Sequence, residues 1–113
     1  MMVTLLKSKI HRIPVTGKEM NYEGSITIDI DIMKKVDLLP YERVEVYNIT
    51  NGERFSTYVI PGKQGSGEVI LNGATARKGE VGDLLIVVSY ITLDVEEAKN
   101  YKPKVYIFGK HIQ

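Results

Sequence analysis

Arg43-Val44-Glu45-Val46-Tyr47-Asn48-Ile49-Thr50-Asn51-Gly52-Glu53-Arg54-Phe55-Ser56-Thr57-Tyr58-Val59-Ile60 reads as two strands joined by a turn. Side chains alternate across a pleated strand, so Val44, Val46 and Asn48 share one side of the first run. Asn51-Gly52 offers two residues that tolerate positive φ, the chemistry of a tight hairpin turn. On the returning run, Arg54, Ser56 and Tyr58 fall on one face and Thr57 on the other.

The same period of two extends outward. Ser25-Ile26-Thr27-Ile28 alternates polar and apolar, and Met2 to Ile13 mixes β-branched residues with charges until Pro14 limits regular pairing. Lys9 and His11 flank Ile10 and so lie on the polar face of that first strand. Glu68 to Leu71, the apolar Leu84 to Ile91 and Val105 to Phe108 complete the strand pattern, with Leu84 to Ile91 expected to be buried on both faces. Pro61 to Gly67 reads as a loop. A short helix is expected after Asp29 or Asp31, with Ile32, Val36 and Leu39 on one face and Pro40 at its end. Ala74-Thr75-Ala76 reads as one helical turn, and Asp94 caps a second helix through Ala98. Six or seven short strands in 113 residues predict a mainly β domain, a closed or nearly closed barrel with short helices.

Composition narrows the function. The hydrophobic share of 43% and charged share of 26% belong to a globular chain, read as one domain over 1–113. There is no cysteine, which removes disulfides, thiolate metal sites and a cysteine nucleophile. A net charge of +1 provides no field to recruit nucleic acid or an anionic membrane. The apolar run Leu84 to Val88 is too short to span a bilayer, and Lys7, Lys9, His11 and Arg12 interrupt any secretion signal. A cytoplasmic enzyme or ligand-binding domain is the expectation. His11 and His111 stand far apart with no paired-carboxylate spacing, so no metal site is expected. Glu96-Glu97 reads as a solvated helix face, and Gly65-Ser66-Gly67 lacks the Lys-Ser/Thr of a phosphate loop.

Tyr22-Glu23-Gly24-Ser25 carries the most chemistry. As a structural element it is a turn before a strand, with Gly24 relaxing the backbone and Ser25 bonding locally. As a reactive element it puts the Ser25 hydroxyl beside a Gly24 carbonyl that no Cβ shields, and asparagine or threonine elsewhere can support a developing oxyanion. Arg54 has the planar fork that grips a carboxylate, or else forms a surface ion pair. Tyr58 can donate a proton to a carbanion, or else rests at the core rim. Asn72-Gly73 is a turn in its simplest reading.

Lys9-Ile10-His11-Arg12, Tyr22-Glu23-Gly24-Ser25, Asn48 through Tyr58, Leu71-Asn72-Gly73-Ala74 and Val81-Gly82-Asp83 occur in one order. Together they closely resemble the pyruvoyl-dependent aspartate 1-decarboxylase family, over nearly the whole chain up to about Pro103. The resemblance implies a six-stranded double-psi β-barrel assembled as a homotetramer. It implies autocatalytic cleavage between Gly24 and Ser25 into a 1–24 β chain and a 25–113 α chain that begins with a covalent pyruvoyl group made from Ser25. That ketone forms a Schiff base with the amine of L-aspartate and serves as electron sink, replacing pyridoxal phosphate and needing no metal. Its product is β-alanine for pantothenate synthesis. By the same resemblance, Asn72 supports the oxyanion and Thr57 assists processing. Arg54 binds a substrate carboxylate with Lys9 nearby, and Tyr58 reprotonates the carbanion. His11, Tyr22, Thr57, Asn72, Gly73 and Ala74 line the pocket. The competing classes are a non-catalytic barrel that binds a ligand and a nucleic-acid-binding barrel, the latter disfavoured by charge. A chain that stays uncut after warm incubation points to the binding module, or to a proenzyme that needs an outside maturation factor.

Overall fold

The computed structural model describes residues 1–110; His111 and with it the end of the chain lie outside the described residues. Eight strands form one sheet: β1 (Met2–Pro14), β2 (Gly17–Glu19), β3 (Ser25–Asp29), β4 (Arg43–Asn48), β5 (Arg54–Gly62), β6 (Val69–Asn72), β7 (Leu84–Asp94) and β8 (Lys104–Ile107). Their order across the sheet is β2-β6-β3-β5-β4-β7-β1-β8. The inner six match the six-stranded expectation, and β2 and β8 are short parallel additions at the two ends.

The chain leaving β1 draws those ends together. Pro14 ends the pairing of β1 with β7, and Val15 and Thr16 then carry the backbone across to β6. There the Thr16 amide donates to the Val69 carbonyl at 2.8 Å, and β2 pairs alongside β6. One continuous stretch thus serves opposite ends of the sheet, which curls around Ile10, Ile13, Ile26, Ile28, Val44, Val46, Val59, Leu71, Leu85 and Val87, all buried. The fold is mainly β, of the double-psi barrel type.

Several local expectations change in the folded chain. Helix α1 spans Ile30–Lys35 and is capped by Asp29, whose carboxylate accepts from the Asp31 amide at 2.9 Å. It stops well before Pro40 because Asp37 takes a left-handed φ of 59°. Leu39 is therefore exposed, and Met33 and Leu38 pack inward with Ile32 and Val36. The hairpin between β4 and β5 is wider than a two-residue turn. Gly52 has a φ of +80°, and the Asn48 side-chain oxygen accepts from the amides of Thr50 and Asn51 at 2.9 and 3.2 Å. Pro61 and Gly62 belong to β5, opposite Ile28 and Asp29 of β3. Strand β7 buries Leu85, Val87 and Val88, while Leu84 and Ile86 are half-buried and Tyr90 is exposed. On its outer face Val88 is buried, but Leu84 and Ile86 are only half-covered by the described residues and Tyr90 is exposed, so burial on both faces is incomplete. The helical turn at Ala74 is a 3₁₀ helix over Gly73–Lys78, and α2 spans Val95–Ala98 after its cap Asp94.

Candidate active site

Ser25 opens β3 directly opposite Asn72, the last residue of β6, and both are buried. The Asn72 side-chain amide donates to Ser25 Oγ at 3.0 Å and to Thr27 Oγ1 at 2.8 Å, which uses both of its hydrogens. Ser25 Oγ in turn donates to the Glu23 carbonyl at 3.3 Å. The hydroxyl is thus anchored beside the Gly24–Ser25 peptide bond, and the space a Gly24 side chain would occupy is open. Gly73 has the opposite character. Its φ is +62°, and a Cβ there would lie 2.5 Å from the Tyr22 carbonyl oxygen and 2.7 Å from the Gly24 nitrogen. The Asn72-Gly73 turn is therefore pressed against the Tyr22–Gly24 backbone.

A cleft of about 370 Å³ opens from this point, lined by Tyr22, Glu23, Ser25, Tyr41, Tyr58, Ile60 and Pro61. The rings of Tyr41 and Tyr58 lie 6.1 Å apart. Tyr41 adopts a φ of 70°, rare for an aromatic residue, and its amide donates to the Val59 carbonyl at 2.7 Å. A neighbouring cleft of about 430 Å³ shares Tyr22, Ile60 and Pro61 and reaches Thr27 and Asn72.

The remaining candidate residues sit elsewhere in the single chain. Register aligns His11 of β1, Ile86 of β7, Tyr47 of β4 and Arg54 of β5 in one row across the outer face. Lys9 lies on that face one step along β1, opposite Val88. The Arg54 guanidinium carbon lies 3.8 Å from the centre of the Tyr47 ring, stacked instead of ion-paired. Tyr47 and Tyr90 share a hydrogen bond of 3.2 Å, which with burial raises the Tyr90 pKa. His11 has its pKa lowered by burial and by the charges of Lys9 and Arg12, and its buried Nδ1 has no hydrogen-bond partner among the described residues. Thr57 is half-buried on the opposite face from Arg54 and Tyr58, in register with Val44. Ala74 is exposed at the start of the 3₁₀ helix.

Ser25, Tyr22 and Tyr58 therefore share one cleft, with Gly24, Asn72 and Gly73 shaping its inner end, while Arg54, Lys9 and His11 occupy the sheet's outer face. Two further residues emerge from the structure. Tyr41 walls the cleft, and the Thr75 hydroxyl lies 3.1 Å from the Ser25 carbonyl oxygen. Neither has a local signal, since Tyr41 follows a proline in a turn and Thr75 sits among alanines. Among the described residues no group of three or more His, Asp or Glu side chains is placed to hold a metal ion.

The aspartate decarboxylase family model matches residues 1–113. The chain is 59% identical over 99 residues to an aspartate 1-decarboxylase of Persephonella marina, covering 88% of this chain and 71% of the relative. It is 60% identical over 99 residues to one of Syntrophus aciditrophicus, covering 88% and 85%. With one of Ralstonia pickettii it shares 52% identity over 106 residues, 94% and 88% of the two chains. A barrel whose buried serine follows an open glycine, matched from end to end by the family model and over 88–94% of its length by such relatives, belongs to the aspartate decarboxylase family.

Proposed function

We propose that this chain is a self-processing enzyme that decarboxylates L-aspartate to β-alanine and CO2, a cytoplasmic step that feeds pantothenate synthesis. The observation that carries the processing is the buried Ser25 hydroxyl held at 3.0 Å by Asn72 beside an unobstructed Gly24. The hydroxyl attacks the Gly24 carbonyl and converts the amide to an ester. Elimination across Ser25 releases residues 1–24 as a carboxylate, and hydrolysis of the resulting dehydroalanine loses ammonia and leaves a pyruvoyl group on residues 25–113.

The buried position of Ser25 at the end of a cleft suits such a group, since one face meets Tyr58 and Tyr22 and the other is fixed in the sheet. A pyruvoyl group at position 25 would supply the carbonyl that binds the substrate amine and the electron sink that decarboxylation needs. Tyr58 returns a proton to the substrate Cα. Stacking on Tyr47 holds the Arg54 guanidinium without consuming its in-plane N–H donors, which leaves them for a substrate carboxylate. Lys9 adds positive charge, and His11, Thr57, Tyr22, Gly73 and Ala74 complete the pocket. Because Lys9, His11 and Arg54 lie on the outer face of the sheet, away from the Ser25 cleft, a second copy completes the site, in keeping with a homotetramer.

The test combines mass spectrometry with product formation. The chain is expected to yield two fragments, the larger lighter by one ammonia than a chain with a free N-terminal serine, and to release β-alanine from L-aspartate. Ser25→Ala is expected to stay whole and inactive. A Ser25→Ala chain that liberates CO2 at the native rate removes the pyruvoyl mechanism.

A further inference from the structure

Thr75 is almost fully buried, and its hydroxyl lies 2.7 Å from the Asn72 carbonyl oxygen and 3.1 Å from the Ser25 carbonyl oxygen. A threonine hydroxyl has one hydrogen, so these two acceptors compete for it. The shorter contact, to the residue three places earlier, is the ordinary bond of a threonine in a first helical turn. The contact to Ser25 has no such local origin, because it spans 50 residues of sequence.

Resting on the self-processing reading above, the second chemical step gives that contact a use. Once the ester has formed, Gly24 is attached through the Ser25 side-chain oxygen and the Ser25 nitrogen is a free amine. The Ser25 α-proton passes to water admitted by the cleft, and its electron pair moves onto the Ser25 carbonyl oxygen as an enolate. Collapse of the enolate restores the carbonyl, forms the Cα–Cβ double bond and breaks the bond from Cβ to the ester oxygen, so that Gly24 leaves as a carboxylate. Negative charge thus develops on the oxygen that Thr75 already faces. We infer that the Thr75 hydroxyl is the hydrogen-bond donor that stabilises the enolate of this elimination. Its hydrogen turns from the Asn72 carbonyl to Ser25 as charge builds, because a bond to an anionic oxygen is about twice as strong as a neutral one. Asn72 holds the nucleophile of the first step and Thr75 serves the second.

The experiment follows the full-length chain through both steps. Thr75→Val and Thr75→Ala are expected to form the ester and then stall, so that pyruvoyl-ended chains appear about 100-fold more slowly, the usual cost of one preorganised oxyanion donor. Neutral hydroxylamine should split the stalled ester into a 1–24 hydroxamate and a 25–113 chain with a free N-terminal serine. Thr75→Ser should restore elimination to within a few-fold of the wild type. The inference is overturned if either hydroxyl-less variant matures at the wild-type rate. It is equally overturned if a variant with native circular dichroism stays uncut and yields no hydroxylamine-sensitive fraction, since Thr75 would then act on the first step. Should the valine variant not fold, the alanine variant, smaller and compatible with the 3₁₀ helix, decides. A wild-type chain that never cleaves would instead remove the self-processing reading itself.

Discussion

Asn72 and Gly73 are adjacent, yet they hold the Tyr22–Ser25 turn by different means that substitution separates. Replacing Asn72 with alanine removes the amide that donates to both Ser25 and Thr27 while leaving the backbone path possible. Fragment appearance followed by mass spectrometry should slow about 100-fold in Asn72→Ala, the cost of losing one preorganised donor. Gly73→Ala acts on the backbone instead. Its left-handed φ costs an L-residue about 1–2 kcal/mol, and the methyl group meets the Tyr22 carbonyl. Urea unfolding of the alanine variant should show a loss of about 2 kcal/mol or more, with the turn displaced and cleavage impaired. Ser25, Gly24 and Asn72 are legible as residue types at suggestive spacings. Thr75 and Tyr41 are not, because each acts through a partner that only folding brings near.

Among the elements, the loop from Lys63 to Gly67 shows how one carboxylate organises a segment. Asp29 caps α1 through the Asp31 amide and accepts from the amides of Gly65 and Gly67 at 3.1 and 2.8 Å. Burial pushes its pKa up, but these backbone donors prevail and hold it below the usual carboxylate value. Its contribution to stability is therefore fully present above the unfolded pKa of about 3.9 and is lost as pH falls through the lower folded value. Asp29→Asn should lower stability at pH 7 by about 1–3 kcal/mol, and its urea midpoint should depend less on pH between about 5 and 2 than the wild type's. Equal acid dependence in the two proteins would remove Asp29 from that role. The sequence pattern marks Asp29 as a possible cap, but its two glycine partners follow more than thirty residues later and meet it only because β3 and β5 run parallel side by side. For the same kind of reason Leu39 is misplaced by helical spacing, since the left-handed Asp37 breaks the period first.

At the level of the whole molecule, the outer face carries His11, Ile86, Tyr47 and Arg54 in one row, with Tyr90 bonded to Tyr47 and partly exposed. The assembly proposed above, if it uses this face, would account for a β7 whose sequence is apolar on both sides while one side is half-covered by the described residues. Ile86→Glu places a charge in the middle of the row. Sedimentation should show smaller species than the tetramer proposed for the wild type, and β-alanine formation should fall at least about tenfold because a charge at an apolar interface is costly. Cleavage at Gly24–Ser25 should continue, because Asn72, Gly73 and Thr75 all belong to the same chain as Ser25. An undiminished tetramer would exclude this face from assembly.

By itself, the amino-acid sequence determined what depends on near neighbours. Alternation made the strands, Asp29 and Asp94 capped the helices, and the Gly24–Ser25 junction placed a hydroxyl beside an unshielded carbonyl. Tertiary structure alone decided which distant groups face that hydroxyl. Asn72 and Thr75 reach Ser25 across 47 and 50 residues because the β3–β6 register sets Ser25 against Asn72, and shifting it by one residue would turn every side chain to the other face. Burial then makes these long-range bonds matter, since a polar group removed from water must find its partners within the protein.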